Sequence, residues 1–509
     1  METELSETIL PTITKMYVCG PTVYNDAHIG HARIYVIVDL INRTMNKILN
    51  KPTHLVMNVT DIDDKIIRES KNKGITWLEL ARLHENSFFD CMSKLNVTRP
   101  DSVIRVTESI SDIVLYIQQI INNGFAYIVS DSSVYFDSIE YKKAGYEFSE
   151  IDDEEEQQYE SLLSKEIVSQ KKHHKDFALW KGRSESDVGF NVEFIFDNQT
   201  FKSFGVPGWH IECSAMIKKT LGNSIDIHFG GIDLKFPHHY NECLQANAYH
   251  HPMYNPLHQS DTMIFHTWTR EFIHVGHLCI KGQKMSKSLK NFSTIKEMLD
   301  KINSNQFRWL FMSTKWKQQV DFTDGLISIA KELDFTVVNF VNRVSNYPFE
   351  VSDVEFNDKE TLLHDDFYRI QQRIYSYLTE FKFEMVARSI QHLIGTTNVY
   401  LDLPRPNESI VGKIRDYLLD LLDKLGFIYR VGNSSSSHKI KDLMNILIET
   451  RSQLRQLTRN PDLSPGIKKQ LFDILDRQRN IQLPDIGIIL EDSKDSSLWY
   501  ENSCVQSSE

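Results

Sequence analysis

Apolar positions in the first half of the chain switch between two periods. Residues 15–20 form a short apolar run closed by Gly20-Pro21, the pattern of a strand that ends in a turn. Ile34, Ile37, Ile41, Met45 and Ile48 then step by 3, 4, 4 and 3, which places them on one helical face. Residues 54–60 supply the next strand. This succession predicts βαβ units and a parallel sheet. From residue 124 to 204 the pattern degrades into short alternating stretches, such as residues 192–196, and reads as an insertion. Alternation returns at Ile225, Ile227 and Phe229, and again through Phe272, His274, Gly276, Leu278 and Ile280. Beyond residue 324 the chain turns helical: Phe367, Ile370, Ile374, Leu378 and Phe381 again step by 3, 4, 4 and 3. Long helices with short connections predict a bundle. The serine run 434–437 reads as a loop, and the polar residues after Trp499 as a disordered tail.

Composition narrows the function classes. The chain has 509 residues, 41% hydrophobic and 25% charged, which suits two to four globular domains. It contains no apolar run of membrane-spanning length, so no membrane partner is expected. Residues 1–13 carry Glu2, Glu4 and Glu7 and no arginine, unlike a signal or transit peptide, and the expected location is cytoplasmic. Six cysteines do not make a disulfide framework; in a reducing compartment they are buried, reactive or metal-bound. The net charge of −12 weighs against a nucleic-acid partner, yet it leaves local basic patches open. Eight acidic residues bunch in residues 147–160, the composition of a solvated loop.

Two short motifs have phosphate chemistry. His28-Ile29-Gly30-His31 follows the first strand and opens the first helix, and Lys284-Met285-Ser286-Lys287-Ser288 follows the last strand. A helix N-terminus offers free N–H groups and a positive dipole end. Imidazoles there can donate to phosphoryl oxygens, and Gly30 permits close approach. The lysines bring positive charge to a departing pyrophosphate. Either motif alone equally fits a surface turn or a solvated basic loop. In this order, bracketing one α/β region, the two are the signatures of class I aminoacyl-tRNA synthetases.

A third group is Cys19, Cys213, His238 and Glu242. His238 and Glu242 are four apart, hence on one face of a helix, and all four are good zinc ligands. Spacing alone also fits two buried cysteines beside an ordinary His and Glu, since no C-x-x-C occurs.

The words around these residues resemble one family. Met16-Tyr17-Val18-Cys19-Gly20-Pro21-Thr22-Val23-Tyr24, Asn58-Val59-Thr60-Asp61-Ile62-Asp63-Asp64-Lys65, residues 208–216 and Phe236-Pro237-His238-His239 through Asn241-Glu242 are similar to the cysteinyl-tRNA synthetases. The resemblance runs over residues 15–291, in order. It implies an α/β fold: a Rossmann-like parallel-sheet catalytic domain split by an insertion, then an all-α helical bundle. The segments are 1–123 and 205–323 for the catalytic halves, 124–204 for the insertion, 324–480 for an anticodon-binding bundle and 481–509 for a partly disordered tail. By resemblance Cys19, Cys213, His238 and Glu242 hold a zinc ion that binds the substrate sulfur. Tyr240 departs from the family, which usually has Glu there. Gly20 and Thr60 would touch the amino acid, Trp209 would wall it, and His228 would order the zinc site. Gly230, Gly231 and Asp233 would take the adenosine, with Asp233 on the ribose.

The implied reaction is the loading of L-cysteine onto tRNA(Cys) with ATP and Mg2+. His28 and His31 would act on the transferring phosphorus, and Lys284 and Lys287 on the pyrophosphate. Zinc prefers a thiolate to a hydroxyl, whereas a pocket relying on shape separates cysteine from serine poorly. Residues 483–487, Leu490-Glu491-Asp492, Trp309 and Lys315-Trp316-Lys317 resemble the eukaryotic-type branch, for which the chain ends early. A cysteine ligase acting on an amino-sugar would be expected to lack the bundle. A catalytically silent relative would not need the His and Lys pairs. A P-loop or dinucleotide enzyme would need glycine motifs this chain does not have. The sequence leaves the oligomeric state open.

Overall fold

The computed structural model describes residues 12–146, 170–250, 268–280, 282–284, 292–349, 357–429, 438–485, 488–492 and 497–501. The acidic run, the serine run and Lys287 lie outside them. The chain divides into two compact units, Met1–Ile327 and Ser328–Glu509.

The first unit opens with β1 (Thr14–Val18), α1 (Ile29–Arg43), β2 (Thr53–Val59), α2 (Asp64–Lys73), α3 (Trp77–Lys94), β3 (Ser102–Arg105) and α4 (Ile110–Asn122). The insertion follows, as β4 (Ala126–Ile128), β5 (Val134–Phe136), α5 (Ser138–Lys143), β6 (Ala178–Gly182), β7 (Phe190–Phe196) and β8 (Gln199–Pro207). The first sheet then resumes through α6 (Trp209–Leu221), β9 (Ile225–Gly231), α7 (Tyr240–His250) and β10 (Thr269–Val275). Its strand order is β10-β9-β1-β2-β3, and every pairing is parallel. The last five residues of β2, Leu55 to Val59, are all buried, as parallel strands covered on both faces require. Succession reverses direction between β1 and β9, and the crevice at the carboxyl ends of such strands is where a doubly wound sheet binds ligands. Cys19, Thr60, Gly230, Gly231 and His274 all come to that edge.

The insertion is a second five-stranded sheet, order β4-β5-β6-β8-β7, with every pairing antiparallel. Its last strand runs past residue 204 to Pro207.

Two local expectations change. The alternation from Phe272 to Ile280 is two strands in two sheets: β10 ends at Val275, and β11 (Leu278–Ile280) joins a small sheet with β12 (Gln283–Lys284) and β13 (Val320–Asp321). Between them lie α8 (Ile295–Leu299) and α9 (Ser304–Met312) in the chain. The break is at Gly276, whose N–H donates to Trp316 O; a Cβ there would lie 2.3 Å from Gln318 O, so only glycine passes. The helix expected to bury one face, α1, is covered almost all round, with Ile29, Ala32, Tyr35, Val36, Ile37, Val38, Leu40 and Ile41 buried.

In the second unit, α10 (Asp324–Asn346), α11 (Asp358–Thr379), α12 (Phe383–Leu401) and α13 (Glu408–Lys424) are amphipathic. Phe367, Ile370, Ile374 and Leu378 form the buried stripe of α11. Phe381 lies beyond the helix in a left-handed turn. Next come α14 (His438–Thr458) and α15 (Pro465–Arg477). The tail segment 481–509 contains β14 (Ile488–Asp492) and β15 (Ser497–Glu501), which make an antiparallel hairpin.

One buried ion pair ties α1 to α9. Arg308 donates to Asp39 Oδ2 at 2.5 Å, Arg43 donates to the same oxygen at 2.8 Å, and Thr98 N donates to Oδ1 at 2.9 Å. Burial alone would raise the Asp39 carboxyl, but the charges of Arg308 and Arg43 and the Thr98 hydrogen bond hold it below the ordinary carboxylate range. Burial also lowers the Arg308 guanidinium, so the pair rests on the mutual charges and hydrogen bonds that offset the loss of water. A carboxyl depressed on folding contributes stability present above its unfolded value, about 4, and lost as pH falls through the folded one. Asp39→Asn should therefore cost about 3–5 kcal/mol at neutral pH, the usual penalty for half of a buried pair. In denaturant melts across the acid range, its deficit against wild type should shrink below about pH 4. A deficit constant with pH would show that the carboxylate charge is not what matters.

Candidate active site and metal centre

Three distant stretches build one buried cluster at the switch point. Cys19 follows β1, and its N–H donates to Phe229 O of β9 at 3.1 Å. Gly20 must be glycine, because a Cβ would fall 1.6 Å from Asn58 O. That approach lets Gly20 N–H donate to Asn58 Oδ1 at 2.8 Å, which fixes the turn against the end of β2. Cys213 comes from the second turn of α6. His238 and Glu242 stand one turn apart where the π-turn Lys235–His239 runs into α7.

The thiols of Cys19 and Cys213 are 3.8 Å apart, and neither is in a disulfide. His238 Nε2 lies 3.0 Å from Glu242 Oε1. One donor atom from each of Cys19, Cys213, His238 and Glu242 lies within 4.8 Å of all the others, and all four residues are buried. Glu242 Oε2 meets His228 Nε2 at 2.9 Å, while Oε1 lies beside His238 Nε2 without an aligned hydrogen bond, and Glu242 is 0% exposed. A buried carboxylate beside two thiols and an imidazole is a group that a cation would satisfy. Two sulfurs, a nitrogen and an oxygen form a donor set suited to zinc. The residues present fit the ion.

Electrostatics point the same way. Burial pushes the Cys213 thiol up, but the Cys19 hydrogen bond and the His238 charge outweigh it and bring it down to about 6. Burial pushes Cys19 well above the ordinary thiol value, and its neighbour Cys213 adds to that. The pair therefore holds one thiolate readily and resists a second unless a cation joins it. Burial would raise Glu242, but His228 and His238 hold it at about 2.

Three more histidines surround these groups that the sequence did not single out. His239 Nε2 is 3.4 Å from Cys19 Sγ, and its Nδ1 is 2.9 Å from His274 Nε2. His210 Nδ1 is 3.0 Å from His238 Nδ1. A second donor set, Cys19, His228, His239 and Glu242, is thus as compact as the first. The doublet His238-His239 is the signal that could have raised His239. His210 and His274 come from separate elements and carry none.

The remaining expected residues divide. Thr60 is buried and donates to Glu212 Oε2 at 3.1 Å, while Asn58 Nδ2 is 3.4 Å from its hydroxyl. His228 is fully buried, and its Nε2 meets the cluster at Glu242 Oε2. Trp209 is 38% exposed, with its ring 4.5 Å from that of His238, so it stands at the rim rather than inside. Gly230 and Gly231 close β9 against His239 and Asp233, and Asp233 is exposed in the following turn.

His28 caps α1, and the His28 and His31 rings stack at 3.9 Å. His28 N–H donates to His31 Nδ1 at 3.2 Å. An Nδ1 that accepts leaves the proton on Nε2, so His31 presents a donor away from its own backbone. The signature lysines are reached through their flanks. Lys284 ends β12, and the chain is described again from Phe292, where Ile29 N–H donates to Ser293 O and Ile295 N–H to Ala27 O. Residues 293–295 thus lie beside His28.

Residues 6–332 match the family of class I (C) tRNA synthetase catalytic domains. The cytoplasmic cysteine–tRNA ligase of Dictyostelium discoideum is 33% identical, over 95% of this chain and 73% of that one. The cysteine–tRNA ligase of Encephalitozoon cuniculi is 34% identical over 95% and 94%. A probable mitochondrial cysteine–tRNA ligase of Xenopus tropicalis is 32% identical over 96% and 86%. Among solved structures, methionyl-tRNA synthetase of Mycobacterium tuberculosis with methionyl-adenylate is similar in fold, with TM-score 0.53 and 15% identity over 81% of this chain and 90% of that one.

Proposed function

Because the chain belongs to the cysteine–tRNA ligase family of class I tRNA synthetases, we propose that Cys19, Cys213, His238 and Glu242 hold a zinc ion for the sulfur of the incoming cysteine. The chain is a cysteine–tRNA ligase, and amino acid, ATP and tRNA are the substrates of its class. In the first step the cysteine carboxylate attacks the α-phosphorus of Mg-bound ATP, forming cysteinyl-adenylate as pyrophosphate leaves. In the second a terminal tRNA hydroxyl attacks the adenylate carbonyl, and AMP leaves. Neither step needs a side-chain nucleophile, so positioning and charge carry the rate.

When bound, the ion would supply a soft site for a thiolate that a serine hydroxyl cannot fill. The convergence of two thiols, an imidazole and a carboxylate in one buried cluster carries this reading. The set with two thiols is preferred to the one with His228 and His239. It brings two thiolates where the other brings one, and thiolates are the donors that select a soft cation. Gly20 and Thr60 line the amino-acid side, and Trp209 stands at its mouth. Gly230, Gly231 and Asp233 take the adenosine. His28 and His31 donate to the phosphoryl oxygens, while Lys284 and Lys287 neutralise the pyrophosphate. The helices of residues 324–480 serve the anticodon of tRNA(Cys).

Among the described residues no helix is long and apolar enough to cross a membrane. Relatives carry cytoplasmic and mitochondrial names; the cytoplasmic reading draws on the Dictyostelium enzyme and is checked by fractionation.

The test is metal analysis and pyrophosphate exchange on one preparation, with cysteine and serine side by side. Zinc should be found at about one per chain. Exchange with cysteine should exceed that with serine by about 10⁴-fold or more, the range reached when a site is built for one particular group. An active preparation without metal, or one that accepts serine equally, refutes the reading.

A further inference from the structure

Arg33 lies in the helix that His28 opens, two residues past His31. It is 1% exposed, and among the described residues no carboxylate pairs with it. Its guanidinium is spent on backbone carbonyls instead. Nη1 donates to His277 O at 2.8 Å, and Nη2 to Gln318 O at 2.7 Å, with Lys315 O and Trp316 O each at 3.4 Å. These carbonyls flank β11 and β13, the two strands that support the hairpin ending at Lys284. His277 O also accepts from Val320 N at 3.0 Å, so the same carbonyl joins the two strands and the arginine.

The other end of the signature segment is anchored to the same helix start. His28 bridges Thr294, and Ile29 N–H donates to Ser293 O at 3.1 Å. Lys284 therefore ends a hairpin pinned by Arg33, and Ser293 and Thr294 are pinned by Ile29 and His28. A buried cation held only by carbonyl dipoles is costly, and one that gathers four of them defines their mutual positions closely. A core filler would not need the charge.

We propose that Arg33 is a positioning residue for the transferring phosphate: through the carbonyls of His277 and Gln318 it sets where the β11–β12 hairpin, and with it the backbone of Lys284, stands relative to His28 and His31. The inference rests on the reading of Lys284 and Lys287 as the pyrophosphate-side charges. Lysine cannot replace arginine here, because a single ammonium cannot span carbonyls on two strands in the plane of a fork.

Arg33→Lys and Arg33→Met are compared with wild type and with Lys287→Ala in cysteine-dependent pyrophosphate exchange, with zinc content and melting temperature measured on each. Arg33→Lys should lower turnover by about 10- to 100-fold, the effect of displacing a catalytic group by about 1 Å. Zinc content and the KM for cysteine should stay near wild type, because the thiol site is built from other elements. Amide hydrogen exchange in Arg33→Lys should quicken around residues 277–284 and 315–321 and not in β1 or β2. If Arg33→Met does not fold, Arg33→Lys alone decides. Wild-type turnover in a folded Arg33 variant, or a loss that tracks zinc or cysteine affinity, overturns the proposal. Unimpaired exchange in Lys287→Ala removes the lysine reading on which it stands; impaired Lys287→Ala beside normal Arg33→Lys removes this inference alone.

Discussion

Cys213→Ala is expected to lose bound zinc and to reduce cysteine-dependent pyrophosphate exchange by more than about 100-fold, with the folded chain retained. Groups that only orient a metal ligand are worth about 10- to 100-fold, so removal of a ligand should exceed that. Cys213 is the better thiolate of the pair, brought down to about 6, while burial holds Cys19 up. Without it the cluster keeps one reluctant thiol, an imidazole and a carboxylate, a harder and looser set. Cys213→Ser should fare little better, because a neutral hydroxyl is a poor replacement for a thiolate. Cys91, buried in α3 and outside both candidate donor sets, provides the control: Cys91→Ala should retain zinc and activity. The same experiment separates the two sets. If zinc survives Cys213→Ala and is lost in His239→Ala, the ion belongs to Cys19, His228, His239 and Glu242. If both variants retain zinc and activity, neither set holds the metal.

The difficulty of finding this site from sequence has a physical cause. Cys19 and Cys213 are 194 positions apart, yet their sulfurs are 3.8 Å apart. What joins them is the order of strands in the sheet, with β9 lying beside β1 and α6 delivered just before β9, and no local pattern encodes that order. Only His238 and Glu242, which interact through one helical turn, had a spacing that could be read directly. His210, His239 and His274 converge for the same long-range reason. The resemblance of the surrounding words stood in for the missing geometry.

The regular elements were far more legible. The apolar run 15–20, the 3.6 period after it and the strand candidate 54–60 correspond to β1, α1 and β2, because run length and period are local signals. Periodicity failed where a contact from elsewhere cut it. Gly276 interrupts an unbroken alternation because the chain at Trp316 and Gln318 passes against it. Near the C-terminus, Leu490 pairs with Trp499 across the β14–β15 hairpin, which a polar composition conceals. The insertion showed only one of its strands in advance, since three-residue strands such as β4 and β5 are too short for a period to register.

His31→Ala should lower pyrophosphate exchange by about 10²- to 10³-fold, the loss found when one donor to a developing oxyanion is removed. The argument rests on which nitrogen carries the proton. His31 Nδ1 faces the N–H of His28, and a nitrogen that accepts cannot also donate. The remaining proton is then on Nε2, on the far side of the ring, at the start of a helix where an anion is already favoured. Stacking at 3.9 Å against His28 adds a second constraint, because two imidazolium rings in that arrangement would repel. The helix start thus favours neutral, donating imidazoles over a pair of charges. His31→Gln places an amide N–H near the Nε2 position and should recover part of the lost rate. His31→Asn, whose amide reaches only as far as Nδ1, should recover less. The effect should appear in turnover rather than in the KM for cysteine, since the donor acts on charge that develops during transfer. Equal rates for His31→Ala and wild type would mean that the His28–His31 pair shapes the turn and takes no part in the transfer.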